Sequence, residues 1–259
     1  MTAGAPTRLS LSPLRRFTPQ TAALLLVAAV AWVVTVQRSG AMGAEMFGTA
    51  GLGLPAFLVM WTPMMAAMML PAVAPLASIY SRTVRTHRPV RLTVFALGYL
   101  TVWAAVGVPA FAVAWAGGQL SEGRPGLATA VAVATYAGCG IYQLTPWKDR
   151  CLLHCRSPLA LLLHYGSYGG RLRDFAAGAH HGGYCAGCCW ALFVLLVPLG
   201  VMNLAAMAVL AAVVLLEKLW SRGVGFSRAV GLVALTFAVA VAWVPALAPG
   251  LYGPMSPMP

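Results

Sequence analysis

The sequence has 259 residues, of which 60% are hydrophobic and only 8% are charged, and its mean hydropathy is +0.81. A soluble domain carries about 25% charged residues and cannot bury this much apolar surface, so the composition excludes an ordinary soluble protein. The net charge of +12 does not indicate nucleic-acid binding, because the basic residues lie in short segments between apolar runs.

Five apolar runs are long enough to cross a bilayer, which takes about 20 residues per helix. They cover residues 18–37, 52–79, 92–117, 126–146 and 226–247. A sixth run, 184–220, is long for one helix and short for two. If it crossed once, Lys218, Arg222 and Arg228 would lie in the periplasm, against the rule that basic loops face the cytoplasm.

Two short helices that turn near residues 200–203 return these three charges to the cytoplasm. We therefore predict an all-α fold, a polytopic transmembrane helical bundle of about seven membrane segments. Six segments plus a re-entrant segment at 184–203 satisfy the same charge pattern and remain the alternative.

The charge pattern also predicts the orientation and the domain organisation. A cytoplasmic N-terminus and a periplasmic C-terminus place the basic clusters after the second and fourth spans in the cytoplasm. We thus expect a single membrane domain over residues 1–259, in the cell inner membrane. Residues 147–183 are predicted to form a cytoplasmic loop that contains Cys and His, and residues 253–259 a short flexible tail.

The second run contains five methionines within ten residues, from Met60 to Met69. Met64 and Met68 are four residues apart and share one helical face, and Met69 stands beside them. Thioethers are soft ligands that suit Cu(I), so the stripe could carry copper through the membrane. Methionine is also a flexible core-filling residue, and packing alone explains the stripe as well.

A first cluster of soft ligands, Cys151, His154 and Cys155, follows the fourth span. The spacing i, i+3, i+4 places the three side chains on one face of a helix. Thiolates and imidazole are the groups that hold Cu(I), Zn(II) or iron–sulfur centres. Cys139 shares a helical face with Gln143 and is a further candidate ligand, although a lone membrane cysteine is usually a small apolar filler.

Cys185, Cys188 and Cys189 repeat this spacing at the start of the next run and are the most specific signal in the sequence. The segment between the two triads is long enough to bring them together, and His180 and His181 could complete a coordination sphere. Cytoplasmic thiols are kept reduced, which favours a metal or catalytic role over structural disulfides. We predict that the thiols of both triads form one site.

The last candidates lie further along the same run. Polar groups inside a membrane span are costly and are functional-site candidates by default. Asn203, Met207 and Glu217 lie on one stripe of a helix, and Met202 comes directly before them. Glu217 could instead lie at the membrane surface beside Lys218.

Four motifs follow one another over residues 55–220. They are Trp61-x-x-Met64-x-x-x-Met68-Met69-Leu70-Pro71, Tyr142-Gln143-Leu144-Thr145-Pro146-x-Lys148-x-x-Cys151-x-x-x-Cys155-Arg156-x-Pro158, Cys185-x-Gly187-Cys188-Cys189-Trp190, and Met202-Asn203 with Glu217-Lys218. Together they resemble a bacterial family of predicted metal-binding integral membrane proteins. The resemblance implies a membrane location and metal binding.

Methionine together with cysteine is the ligand set that favours Cu(I), whereas Zn(II) leaves the methionines unexplained. We therefore expect a membrane protein that binds a thiophilic transition-metal ion, Cu(I) before Zn(II), in metal handling or transport. The expected partners are membrane lipid, the metal ion, and a soluble metal chaperone or a membrane complex, with no nucleic acid.

Two other functions remain open at this point. One is a membrane thiol–disulfide redox protein that uses the Cys185–Cys188 pair, and the other is a subunit of a larger complex stapled by a structural metal. The sequence shows no hydrolase triad, no phosphate-binding glycine loop and no paired catalytic carboxylates. An enzyme is therefore the less favoured interpretation.

Overall fold

The computed structural model describes residues 19–42, 48–49, 51–84, 86–122, 124–157, 164–166, 169–170 and 172–251. Most of these residues are helical, and none of them lies in a strand. The prediction of an all-α protein is thus confirmed for the described part of the chain. The predicted tail at 253–259 falls outside it.

The described residues form α-helices that pack against one another. In chain order they are α1 (Pro19–Met42), α2 (Leu54–Thr83), α3 (Arg88–Ser121), α4 (Pro125–Gln143), α5 (Pro146–Arg156), α6 (Arg173–Val194), α7 (Leu196–Leu199), α8 (Leu204–Leu219) and α9 (Gly223–Trp243). Proline stands in the first turn of α2, α3, α4 and α5. The first N–H groups of a helix have no partner within the helix, so proline, which has no N–H, costs no hydrogen bond there. Its fixed φ also suits the helix start.

Five segments are long and apolar enough to cross a membrane: α1, α2, α3, α6 together with α7, and α9. A sixth comes from α4 and α5 if the pair, bent by 62°, is one broken span. Helix α8 has 16 residues, fewer than the roughly 20 that a crossing takes. The number of seven membrane segments therefore stays a prediction.

The break predicted within 184–220 is present. Gly200 lies between α7 and α8 with a φ of 95°, a left-handed conformation that glycine adopts without a steric penalty. The chain then turns at 201–202, and Asn203 caps α8, which begins at Leu204. The predicted turn near 200–203 is thus confirmed as the end of one helix and the start of the next.

Helices α2 and α6 are the inner helices of the bundle. In the most apolar 18-residue stretch of each of these two helices, 67% is buried within the protein. The buried share of the corresponding stretch is 22% in α1 and 28% in α9. The methionines of α2 and the second cysteine triad of α6 therefore lie in the interior, while the outer helices expose apolar side chains such as Leu26 and Val239.

Glycines allow α3 and α6 to approach closely. A Cβ on Gly178 would lie 1.9 Å from the carbonyl oxygen of Phe95, and one on Gly98 would lie 2.2 Å from that of Phe175. Small residues at such positions let two helix backbones come into contact. This contact sets the position of α6, and so of its cysteines, relative to α3.

The segment predicted as a Cys/His-containing loop, 147–183, includes helical structure. Helix α5 starts behind Thr145, whose hydroxyl accepts a hydrogen bond from the Lys148 amide at 3.3 Å and caps the helix. Helix α6 begins at Arg173, so the second triad lies within a helix rather than at its start. Both triads therefore lie on helices, as their spacing predicts.

Candidate metal centre

The two cysteine triads approach each other where α5 packs against α6. The Sγ atom of Cys155 lies 3.9 Å from that of Cys188, which in turn lies 3.2 Å from that of Cys189. A Cβ on Gly187 would lie 3.2 Å from the Sγ of Cys151, so glycine leaves room for the first triad. The structure thus brings thiols of both triads into one region, and all of them are free.

Cys185 belongs to the same buried group of thiols and has two further neighbours on other helices. Its Sγ accepts a hydrogen bond from the Lys218 Nζ at 2.7 Å and lies 2.9 Å from the hydroxyl of Tyr99. Cys185 and Tyr99 are completely buried, and Lys218 is only 8% exposed. A buried ammonium needs a negative charge beside it, and the Cys185 sulfur occupies that position.

A second buried charge pair lies beside these thiols. The Nζ of Lys148 lies 2.7 Å from Oε2 of Glu217, and neither side chain is exposed. Gln143 donates a hydrogen bond to Oε1 of the same carboxylate at 2.8 Å, and the Lys148 Nζ also donates to the carbonyl oxygen of Cys188. Glu217 therefore lies in the interior of the protein and is paired with Lys148.

The two adjacent histidines predicted as ligands, His180 and His181, have different surroundings. His181 is buried and stacks on Tyr99, with ring centroids 5.9 Å apart and Cys185 among its electrostatic neighbours. His180 lies instead against His154 of the first triad, with ring centroids 5.8 Å apart. Of the adjacent pair, only His181 belongs to the pocket around Cys185.

Two histidine nitrogens are left without a protein partner. Nε2 of His154 and Nδ1 of His181 are buried and accept or donate no hydrogen bond within the described residues. Buried polar atoms nearly always have a partner, so such nitrogens are available to bind a metal ion or a water molecule.

The predicted methionines are packed in the interior. No more than 1% of any of them is exposed: Met64, Met68, Met69, Met202 and Met207. The hydroxyl of Tyr99 connects two parts of the site, because it lies 3.4 Å from the Met69 carbonyl oxygen as well as close to Cys185. Full burial is compatible both with core packing and with a thioether ligand.

Two other predicted site residues, Asn203 and Cys139, belong to other helices, α8 and α4. Asn203 caps α8: its Oδ1 accepts a hydrogen bond from the Ala206 amide at 3.1 Å, and its Nδ2 donates to the Leu199 carbonyl oxygen at 3.0 Å. This capping explains a polar residue at that position without a ligand. Cys139 is buried in α4, on the helix that also carries Gln143.

The donors in the interior are cysteine thiols, histidine nitrogens and methionine thioethers. No three His, Cys, Asp or Glu side chains of the described ranges are arranged to hold a metal ion together. Thiolates and thioethers are both soft ligands, the kind that suits ions such as Cu(I).

Three side chains in this region are absent from the predicted site residues: Tyr99, Lys148 and Lys218. The two lysines follow apolar runs in the sequence, a pattern typical of cytoplasmic charges that orient a membrane protein. A signal for Lys218 existed, because it adjoins Glu217 at the end of the predicted polar stripe. Tyr99 belongs to an aromatic stripe with four-residue spacing, from Phe95 to Trp103.

One comparison with known proteins identifies a relationship. Residues 58–241 match the family described as PpoB2, copper chaperone. The match covers more than half of the chain and includes both cysteine triads and the methionine stripe. No curated protein and no solved structure matches the sequence.

Proposed function

This chain belongs to the PpoB2 copper chaperone family, and we propose that it is a membrane-embedded protein that binds Cu(I) and passes it on. Family membership supports a role in copper handling. The observation that carries the proposal is the meeting of the two triads, with Cys155, Cys188 and Cys189 connected by sulfur–sulfur distances of 3.9 and 3.2 Å. Soft sulfur ligands of this kind hold Cu(I) and have little affinity for Mg(II) or Ca(II).

Transfer follows from a surplus of thiols. The pocket offers more cysteines than Cu(I) needs, so the ion, as the cargo of the protein, can exchange one sulfur ligand for the next without being released. Cys151 and Cys155 on α5 form the outer part of the pocket, since both are partly exposed, whereas the cysteines of α6 are buried. The ion therefore moves between the partly exposed cysteines of α5 and the buried cysteines of α6.

The buried methionines of α2 offer a second set of sulfur ligands. Tyr99 lies between the two regions, in contact with the Cys185 sulfur and near the backbone of Met69. Thioethers carry no charge, so Met64, Met68 and Met69 can line an apolar interior without the cost of a buried carboxylate. We propose that they form a weaker site that receives or releases the ion.

The membrane location is part of the proposal. Five long apolar helices with exposed apolar side chains support it, and the basic segments support an inner-membrane protein with a cytoplasmic N-terminus and a periplasmic C-terminus. Reporter fusions after Arg91 and after Arg173 should both report cytoplasm. A periplasmic signal from the second fusion would reverse the orientation and put the thiols on the oxidising side.

Copper loading tests the proposed function directly. Cys188→Ser with Cys189→Ser should abolish bound copper in purified, reduced protein, and Cys151→Ser with Cys155→Ser should lower it, because serine oxygen is a hard ligand. Elemental analysis gives copper per chain. Cys139→Ala, which removes a buried thiol outside both triads, is the matched control. Wild-type copper content in the Cys151/Cys155 variant would show that the first triad is not part of the site.

A further inference from the structure

Lys218 is a charged group of this pocket that the proposed function does not use. Its Nζ lies 2.7 Å from the Cys185 sulfur, closer than the Tyr99 hydroxyl at 2.9 Å. The side chain reaches the sulfur from α8 across the helix interface and is almost completely buried.

The other charges nearby cannot neutralise Lys218. Glu217, its neighbour in sequence, already forms an ion pair with Lys148, with an Nζ–Oε2 distance of 2.7 Å. The described residues contain no carboxylate within salt-bridge distance of Lys218. Its ammonium charge is therefore left to be balanced by sulfur, because an uncompensated buried charge is strongly unfavourable.

We propose that Lys218 is a resident countercharge of the copper pocket and makes it select a monovalent thiophilic ion over a divalent one. The inference rests on the proposed function and adds a specificity-determining residue to it. Two thiolates with a monovalent ion carry one negative charge, and the ammonium brings the buried site to neutrality. The same thiolates with a divalent ion are already neutral, so the ammonium is then left uncompensated.

A divalent ion could avoid this penalty by taking a third thiolate from the surplus cysteines. The described residues present no group of three His, Cys, Asp or Glu side chains ready to hold a metal ion, so the rearrangement adds to the cost. Lysine also suits the role sterically. It carries a compact point charge on a flexible stem, and it can withdraw from the Cys185 sulfur when an ion binds while its charge stays nearby.

A comparison of silver and cadmium ions separates the effect of ion charge on affinity from the effect of softness. Both are closed-shell thiophilic ions, they do not change oxidation state in the assay, and their charges differ by one. The affinities of purified wild-type protein and of Lys218→Gln for Ag(I) and for Cd(II) are measured by competition titration. Glutamine keeps an N–H donor and removes the charge, so the ratio of Ag(I) to Cd(II) affinity should fall about tenfold or more.

Three further variants isolate the charge. Lys218→Arg retains the charge and should keep the wild-type ratio. Tyr99→Phe removes the uncharged donor to the same sulfur and should lower both affinities in similar proportion. Arg228→Gln removes one positive charge at an exposed ion pair with Asp149 and should leave the ratio unchanged.

The inference is overturned if folded Lys218→Gln, judged by its gel-filtration profile, keeps the wild-type ratio. If that variant does not fold, Lys218→Arg still decides, because a tenfold fall in its ratio with the charge retained contradicts the inference. Failure of the wild-type protein to bind Ag(I) at all is a different result, which overturns the proposed function instead.

Discussion

The methionine stripe of α2 and the thiol pocket around α6 are both buried and both offer sulfur, but they differ in charge. The stripe consists of thioethers, which need no counter-ion in an apolar interior. The pocket contains two buried pairs of ionisable side chains, Cys185 with Lys218 and Glu217 with Lys148, beside further thiols. A cation in the stripe would meet neutral ligands and no counter-charge, whereas a cation in the pocket would meet ionisable groups that can balance its charge. The proposed function therefore assigns passage of the ion to the stripe and its retention to the pocket.

The largest effect that sharpens this comparison is expected at Glu217. Glu217→Ala leaves the completely buried ammonium of Lys148 without its partner and should lower the free energy of unfolding by about 3–5 kcal/mol. Denaturant titration of the purified protein, followed by tryptophan fluorescence, measures the loss.

The matched variant removes both charges together. Glu217→Leu with Lys148→Met should cost far less than the single change, because no unpaired charge remains. A double variant as unstable as Glu217→Ala would mean that size or hydrogen bonding, rather than charge pairing, holds this part of the pocket.

A smaller effect is expected where α6 touches α3. Gly178→Ala places a methyl group 1.9 Å from the Phe95 carbonyl oxygen and should destabilise the protein by about 1–3 kcal/mol, since the two helices must separate. The separation also moves Cys185 away from Tyr99 and should weaken copper binding, while the stripe on α2 is less affected. Thermal unfolding and copper content measure the two effects.

Gly183 provides the control on the same helix. A Cβ there meets no atom within 4 Å, so Gly183→Ala should be neutral or should stabilise the helix by up to about 1 kcal/mol. Equal damage from both substitutions would indicate that α6 needs flexibility rather than close contact with α3.

The smallest effect on stability is expected in the stripe itself. Met64→Leu with Met68→Leu keeps volume and apolar character and should cost less than about 1.5 kcal/mol. Copper binding or copper-dependent growth should nevertheless fall, because the thioether sulfurs are lost. If copper behaviour stays at the wild-type level, the methionines are packing residues and the preference for Cu(I) rests on the thiol pocket alone.

The helices could be predicted because the signals for them are local. The apolar run at 52–79 corresponds to α2, and the charge argument for a turn near 200–203 corresponds to the break at Gly200. Spacing of i, i+3 and i+4 places side chains on one face of any helix, so each triad could be assigned to a helix before the other was considered. The site was less predictable: His180 and His181 are adjacent in sequence, yet only His181 packs beside Tyr99.

The sequence by itself therefore determined the apolar all-helical fold, the two cysteine triads and the methionine stripe, because length, periodicity and ligand type are properties of short segments. Only the tertiary structure decided which charged side chains are buried and which are solvated. Lys148 and Lys218 have the same local sequence signature as basic residues that face the cytoplasm. They are buried because the packing of α5, α6 and α8 provides each ammonium with a partner, Glu217 for one and Cys185 for the other. Whether a lysine is solvated or buried depends on such partners, and these come from distant parts of the chain.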